Sequence, residues 1–227
     1  KRQGLRFKPA SRYENACASG SAALYAAREF IAAKRGRLAL VIGVEKMTTL
    51  PGPQIGDVLL GASYRKEEGE IPGGFAGVFG RIAENYFQRF GDQSDALAMI
   101  AAKNHKNGVD NPYAQMRKDL GFEFCRQESE KNPYVAGPLK RTDCSLVSDG
   151  AAALILADAE TAAAMAKAVK FRAGVQVNDY LPLSRRDPTR FEGGAAAWSR
   201  ALADAKLALS DLSFVETHDL SLIHISE

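Results

Sequence analysis

The residue best placed to do chemistry is Cys17, in the run Glu14-Asn15-Ala16-Cys17-Ala18-Ser19-Gly20-Ser21. It falls between a segment that reads as a short strand, Ser11 to Asn15, and an alanine-rich segment that reads as a helix. A thiol at a helix N-terminus faces unpaired backbone N–H groups and the positive end of the helix dipole, and both favour the nucleophilic thiolate. Ala16, Ala18 and Gly20 leave room for a tight turn and for a substrate carbonyl, whose oxyanion the same N–H groups could hold. The chemistry this supports is acyl transfer through a cysteine thioester. The same residues equally describe a small buried cysteine in a close-packed elbow, so the local pattern leaves the two readings level.

The other reactive side chains read more plainly. Cys125, beside Phe122 and Phe124, and Cys144, ahead of an apolar run, are read as packing residues. The three cysteines are far apart and form no paired spacing, which points to free thiols and not to zinc or a dithiol. His105 shares a polar helical stretch with Lys103 and Lys106 and reads as a solvated helix end ahead of a ligand contact. Asp149-Gly150 reads as a turn, with Gly supplying unusual dihedrals and Asp capping them.

The elements that must position Cys17 follow from periodicity. Ala22, Ala23, Ala26, Ala27, Phe30 and Ile31 recur at helical spacing up to Lys34, and Gly36 supplies a stop. Leu38 to Val44 is a short, β-branched apolar run that predicts a strand buried on both faces in a parallel sheet, so strand, helix and strand imply a right-handed crossover. From Glu45 to Arg141 the composition turns to Gly, Pro and charge, with helices expected at Gly77 to Phe90 and Ser94 to Lys106, and this reads as an insertion. Strands at Ala151 to Ala157, Val169 to Val177 and Phe214 to Thr217 then alternate with helices at Ala159 to Lys167 and Ala195 to Leu209, an α/β rhythm.

Composition bounds the function. With 227 residues and 46% hydrophobic content the chain can bury one large core or two small ones. The 30 basic and 27 acidic residues are spread along the chain for a net charge of +3, without the basic face or module of a nucleic-acid binder. No stretch approaches the roughly 20 apolar residues of a membrane helix, and none resembles a secretory signal. A cytoplasmic or organelle-matrix enzyme is the expectation.

At Cys17 and its neighbours the chain resembles the thiolase superfamily, particularly the sterol-carrier-protein type thiolases and acetyl-CoA acetyltransferases. Four further segments carry the resemblance in family order: Gly43-Val44-Glu45-Lys46-Met47, Lys103-Asn104-His105-Lys106 followed by Asn111-Pro112-Tyr113, Ser148-Asp149-Gly150-Ala151, and Glu216-Thr217-His218-Asp219. It implies an α/β fold of two similar halves, layered helix-sheet-helix-sheet-helix. Residues 1–160 would form the N-terminal half, incomplete at its start, with an inserted loop domain at about 46–142 contacting coenzyme A. Residues 161–219 would begin the C-terminal half. Where the family continues His-Asp with Cys and Phe, the chain has Leu220-Ser221, and 220–227 match no family pattern. A family member has further strand and helix units before Ser11, and the family's Gly-His-Pro segment, whose histidine activates the nucleophile, does not occur, so the resemblance implies a fragment truncated at both ends.

The implied activity is acyl transfer from acyl-CoA or 3-ketoacyl-CoA thioesters through Cys17, by thiolytic cleavage or Claisen condensation in lipid metabolism or fatty acid β-oxidation. His218 would serve the oxyanion hole and His105 would touch substrate. The resemblance implies no permanently bound cofactor, with the coenzyme A thioester as substrate. It also implies a homodimer or homotetramer, no nucleic acid, no membrane span, and a cytoplasmic, peroxisomal or mitochondrial-matrix location. Two alternatives stand beside it: a thiolase-fold lyase of steroid side-chain thioesters, motivated by the missing cysteine after His218-Asp219, and a non-catalytic thioester-binding module.

Overall fold

Alanine and leucine give the segment after Cys17 a high helix propensity, and it forms α1, Ser19–Ala32. A left-handed Lys34 (φ 57) ends the turn that follows, and β1, Leu38–Glu45, runs back along the helix. The structure, a computed structural model, describes residues 3–218, so the expectation for 220–227 lies outside the described residues.

β1 pairs antiparallel with β4, Gly150–Ala157, in eight consecutive pairs from Leu38↔Ala157 to Glu45↔Gly150. Ion pairs clamp both ends of this ladder. At one, Arg37 Nε lies 3.0 Å from Asp158 and its terminal nitrogen 3.1 Å from Glu160. At the other, Lys46 Nζ lies 3.0 Å from Asp149. Asp158 also caps the short helix α7, Ala159–Ala163, and hydrogen bonds from Thr161, reinforced by Arg37, hold its carboxyl at about 2. These pairs are exposed and contribute little stability individually. Together with β1, β4 and α1 they belong to a first compact unit, Lys1–Lys46 with Asp149–Gly174.

Several expectations for this unit need correction. The strand partner of β1 is antiparallel, and because Ser11 to Asn15 forms no strand, the expected strand–helix–strand crossover ahead of β1 does not form among the described residues. The sheet is buried on one face only, where α1 packs and Val41 and Leu156 lie, while Leu38, Leu40, Ile42, Val44 and Ile155 on the other face are exposed. Ser11 to Asn15, Val169 to Val177 and Phe214 to Thr217 are irregular, not strands. Apolar alternation is necessary for a strand, but a strand persists only where a neighbour takes its backbone hydrogen bonds. Gly150 has no unusual dihedral; it opens β4, and Asp149 serves the ion pair with Lys46.

The second unit, Met47–Ser148 with Val175–Glu227, is mostly helical. Its elements are α2 (Gly52–Leu60), α3 (Arg65–Glu68), α4 (Gly74–Phe90), α5 (Ser94–Gly108), α6 (Gly121–Arg126), the hairpin β2 (Tyr134–Ala136) and β3 (Leu139–Lys140), and α8 (Glu192–Ala205). The core joins Ile82, Ala83 and Tyr86 of α4, Leu97, Ala98 and Ala101 of α5, Cys125 of α6 and Leu139 of β3. Gly80 lets the hairpin approach α4: a Cβ there would sit 2.9 Å from Ala136. α8 ends at Ala205, ahead of the expected Leu209, because Lys206 turns left-handed (φ 55).

A buried polar knot ties the hairpin to α6. Asn132, fully buried, donates from Nδ2 to the carbonyls of Phe124 (3.0 Å) and Gln127 (3.2 Å) and accepts from the Thr142 N–H (3.0 Å). Beside it Lys140 and Asp143, both buried, form an ion pair at 3.4 Å, and Asp143 also accepts the Lys140 N–H at 2.7 Å. Burial pushes the Asp143 carboxyl up, against the opposing pull of Lys140.

Asn132→Ala should therefore lower stability by about 2–4 kcal/mol, because it strands several buried backbone groups at once. Urea titration followed by helical circular dichroism measures this, and a change below about 0.5 kcal/mol would show the knot to be dispensable. The bare apolar face of β1 should drive self-association. Ile42→Lys should reduce concentration-dependent light scattering without shifting the urea midpoint; unchanged scattering would place the sticky surface elsewhere.

Candidate functional site

Cys17 lies in a single 3₁₀ turn, Ala16–Ala18, directly ahead of α1, and its thiol is exposed. The turn is sharp because Ala16 is left-handed (φ 45), a conformation that costs any residue with a Cβ. Backbone bonds wind it into the helix: the Ala18 N–H donates to the Asn15 carbonyl at 2.9 Å, and the Ser19 N–H to the Ala16 carbonyl. No side chain caps α1 at Ala18.

Two side chains that the residue pattern does not single out surround this turn. Glu14 Oε1 accepts the Ala16 N–H at 2.7 Å. Ser19 Oγ accepts the Asn15 N–H at 2.7 Å and donates to the Ala16 carbonyl at 2.8 Å, with Glu14 Oε1 3.3 Å away. The signal for them is only their spacing around Cys17, since a glutamate bonding its own backbone two residues on has no distinctive pattern. Because α1 leads directly into β1 and packs on it, Cys17 stands at the end of the first unit where β1 finishes and Lys46 meets Asp149.

The other cysteines are different in kind. Cys125 is fully buried in the second core, and desolvation pushes its thiol up. Cys144 is partly buried and packs against the same core, where burial, with Asp143 adding, pushes it up to about 11. Both match the packing role read from their neighbours.

His105 sits on α5 and is half-buried, not the solvated helix end that its lysine neighbours suggest. It lines a concavity of about 290 Å³ with Asn104, Gln115, Thr142, Asp143, Cys144, Ser145 and Ser148, all in the second unit. The polar lining and the apolar Ala101, Met116 and Leu146 suit a mixed polar and apolar ligand. His218, also in the second unit, is exposed in irregular backbone, whereas Cys17 belongs to the first. Among the described residues no group of three or more His, Cys, Asp or Glu side chains could hold a metal ion, and no helix is long and apolar enough to cross a membrane.

Comparison with known proteins places the chain in a family. The family "Thiolase, N-terminal domain" matches residues 2–160. An acetyl-CoA acetyltransferase of Methanothermobacter thermautotrophicus is 34% identical over 218 residues, covering 95% of this chain and 55% of that protein. One of Methanocaldococcus jannaschii is 32% identical over 225 residues, 97% and 56% of the two chains. Sterol carrier protein 2 of Oryctolagus cuniculus is 29% identical over 235 residues, 95% and 41%. The chain spans about half the length of the curated relatives it matches.

The three thiols should separate cleanly in labelling. At pH 8 a thiol held at about 11 is thiolate in only about one molecule in a thousand, so iodoacetamide should modify Cys17 in the folded protein and reach Cys125 and Cys144 only after unfolding. Peptide mass mapping reads the outcome, and Cys144 labelling as fast as Cys17 would contradict the burial described.

Proposed function

The chain belongs to the thiolase family, and from that membership we propose that Cys17 is the nucleophile of an acyltransferase acting on acyl-CoA or 3-ketoacyl-CoA thioesters. The observation that carries the reading is the exposed thiol of Cys17 on a strained turn at the start of α1, within the span that the family matches. The thiolate attacks the thioester or ketone carbonyl, and the tetrahedral adduct collapses to leave the acyl group on Sγ. From an acyl-CoA the leaving group is the coenzyme A thiolate; from a 3-ketoacyl-CoA it is the carbanion of the shorter thioester, which takes up a proton. In the second step a coenzyme A thiol, or in the synthetic direction a carbanion, attacks the acyl-cysteine and restores the thiol.

Backbone N–H groups at the head of α1 are the oxyanion donors nearest in sequence to Cys17. We further assign His218 to the oxyanion hole and His105 to substrate contact, the latter supported by its place in the polar concavity of the second unit. The substrate is a coenzyme A thioester, with no permanently bound cofactor. The domain reading has 1–160 as an N-terminal half, 46–142 as its inserted loop domain and 161–219 as the start of a second half; the division between the compact units at Lys46/Met47 and Ser148/Asp149 supports the insertion, while 161–174 groups with the first unit and the chain from Val175 with the second. Homodimeric or homotetrameric assembly, a role in lipid or fatty acid breakdown, and a cytoplasmic or organelle-matrix location complete the proposal. A thiolase-fold lyase that makes no acyl-enzyme is the second reading, motivated by Leu220 standing where the resemblance calls for a cysteine.

In the full-length protein, incubation with acetyl-CoA, acid quench and peptide mass mapping should find one acetyl group, on the Cys17 peptide, lost in Cys17→Ala. Acylation at another residue would refute the assignment. Carbon–carbon cleavage that survives Cys17→Ala would favour the lyase.

A further inference from the structure

We propose that Glu14 is the positioning residue of the nucleophile turn: its carboxylate holds Ala16 in the left-handed conformation that presents Cys17 at the head of α1. The inference rests on the reading of Cys17 as the acyl-carrying nucleophile and adds to it a residue that acts through the backbone, not on the substrate. Ala16 needs an explanation. A residue with a Cβ at φ 45 reverts to the right-handed or extended region unless its neighbouring peptide planes are fixed.

Both planes are fixed here by side chains. The plane before Ala16 is held through its N–H, which donates to Glu14 Oε1 at 2.7 Å. The plane after it is held through its carbonyl, which accepts from Ser19 Oγ at 2.8 Å and from the Ser19 N–H. The Ser19 hydroxyl also takes the Asn15 N–H at 2.7 Å, so it steadies the plane that Glu14 does not reach. The Glu14 oxygen is the acceptor that fixes the plane before Ala16, which makes its position, and not its charge, the anchor. The value of Glu14 is therefore geometric, and an uncharged acceptor of the same length should serve as well.

The test is the alkylation rate of Cys17 by iodoacetamide at pH 8, mapped to its peptide, in Glu14→Gln, Glu14→Ala and the double variant Glu14→Ala with Ala16→Gly. Gln keeps the acceptor and removes the charge, so it isolates position from electrostatics. Glu14→Ala should react about fivefold more slowly than Glu14→Gln, the scale set by releasing one left-handed alanine and withdrawing Cys17 from the helix terminus. Adding Ala16→Gly should return the rate to that of Glu14→Gln, because glycine adopts this φ without a Cβ penalty. Equal rates in Glu14→Gln and Glu14→Ala, or no recovery with glycine, would overturn the proposal. Glu14 is exposed, so its truncation leaves both cores intact. Alkylation reports where the thiol stands whether or not acyl-CoA is a substrate, so failure here and failure of acetyl trapping are separate results.

Discussion

The antiparallel ladder between β1 and β4 is the interaction on which the first unit depends. Its eight pairs join segments separated by the whole of 47–148, and α1 packs on the strand they anchor. Without β4, β1 would be a lone strand with unpaired N–H and carbonyl groups on both edges, and the helix that carries Cys17 would lose the surface covering its inner face. The ion pairs Arg37–Asp158 and Lys46–Asp149 flank the ladder at its two ends. A slip of one residue would misalign both and would turn Val41 and Leu156 outward. Register here is thus specified by packing and by charge together.

Within that frame the two units solve different problems. The first holds one strained turn in the open, where a thiol can meet a carbonyl, and tolerates an uncovered apolar sheet face. The second encloses its polar groups: Asn132, Lys140 and Asp143 are buried and bonded to one another or to nearby backbone, and they support the Thr142 to Ser145 segment that lines the cavity beside His105. A buried ion pair stabilises little on balance, but it resists rearrangement, because separating the partners would leave a charge without solvent.

Much of this was legible in the residues, and the remainder was hidden for physical reasons. α1, β1, α4, α5 and β4 fall within a few residues of their expected spans because each carries a periodic or continuous apolar pattern and also finds an element to pair with or pack on. The segments at 11–15, 169–177 and 214–217 carry strand-like patterns, yet a pattern cannot supply the neighbour that a strand requires. The β2–β3 hairpin is too short to show periodicity, and α2 begins in a Pro- and Gly-rich stretch that reads as loop. At the site, Cys17 stood out by type and context, while Glu14 and Ser19 did not, because side-chain bonds to nearby backbone leave no spacing signature. His105 looked solvated beside its lysines, and only the tertiary fold turns it toward a cavity.

The central claim is that acyl groups pass through Cys17, and isotope exchange tests it most directly. An enzyme that forms an acyl-cysteine releases coenzyme A in its first half-reaction and so must exchange labelled coenzyme A into acetyl-CoA without any second acyl substrate. The account requires this exchange in the full-length protein and its disappearance in Cys17→Ala. Exchange that persists in Cys17→Ala would place the acyl group on another residue and contradict the account.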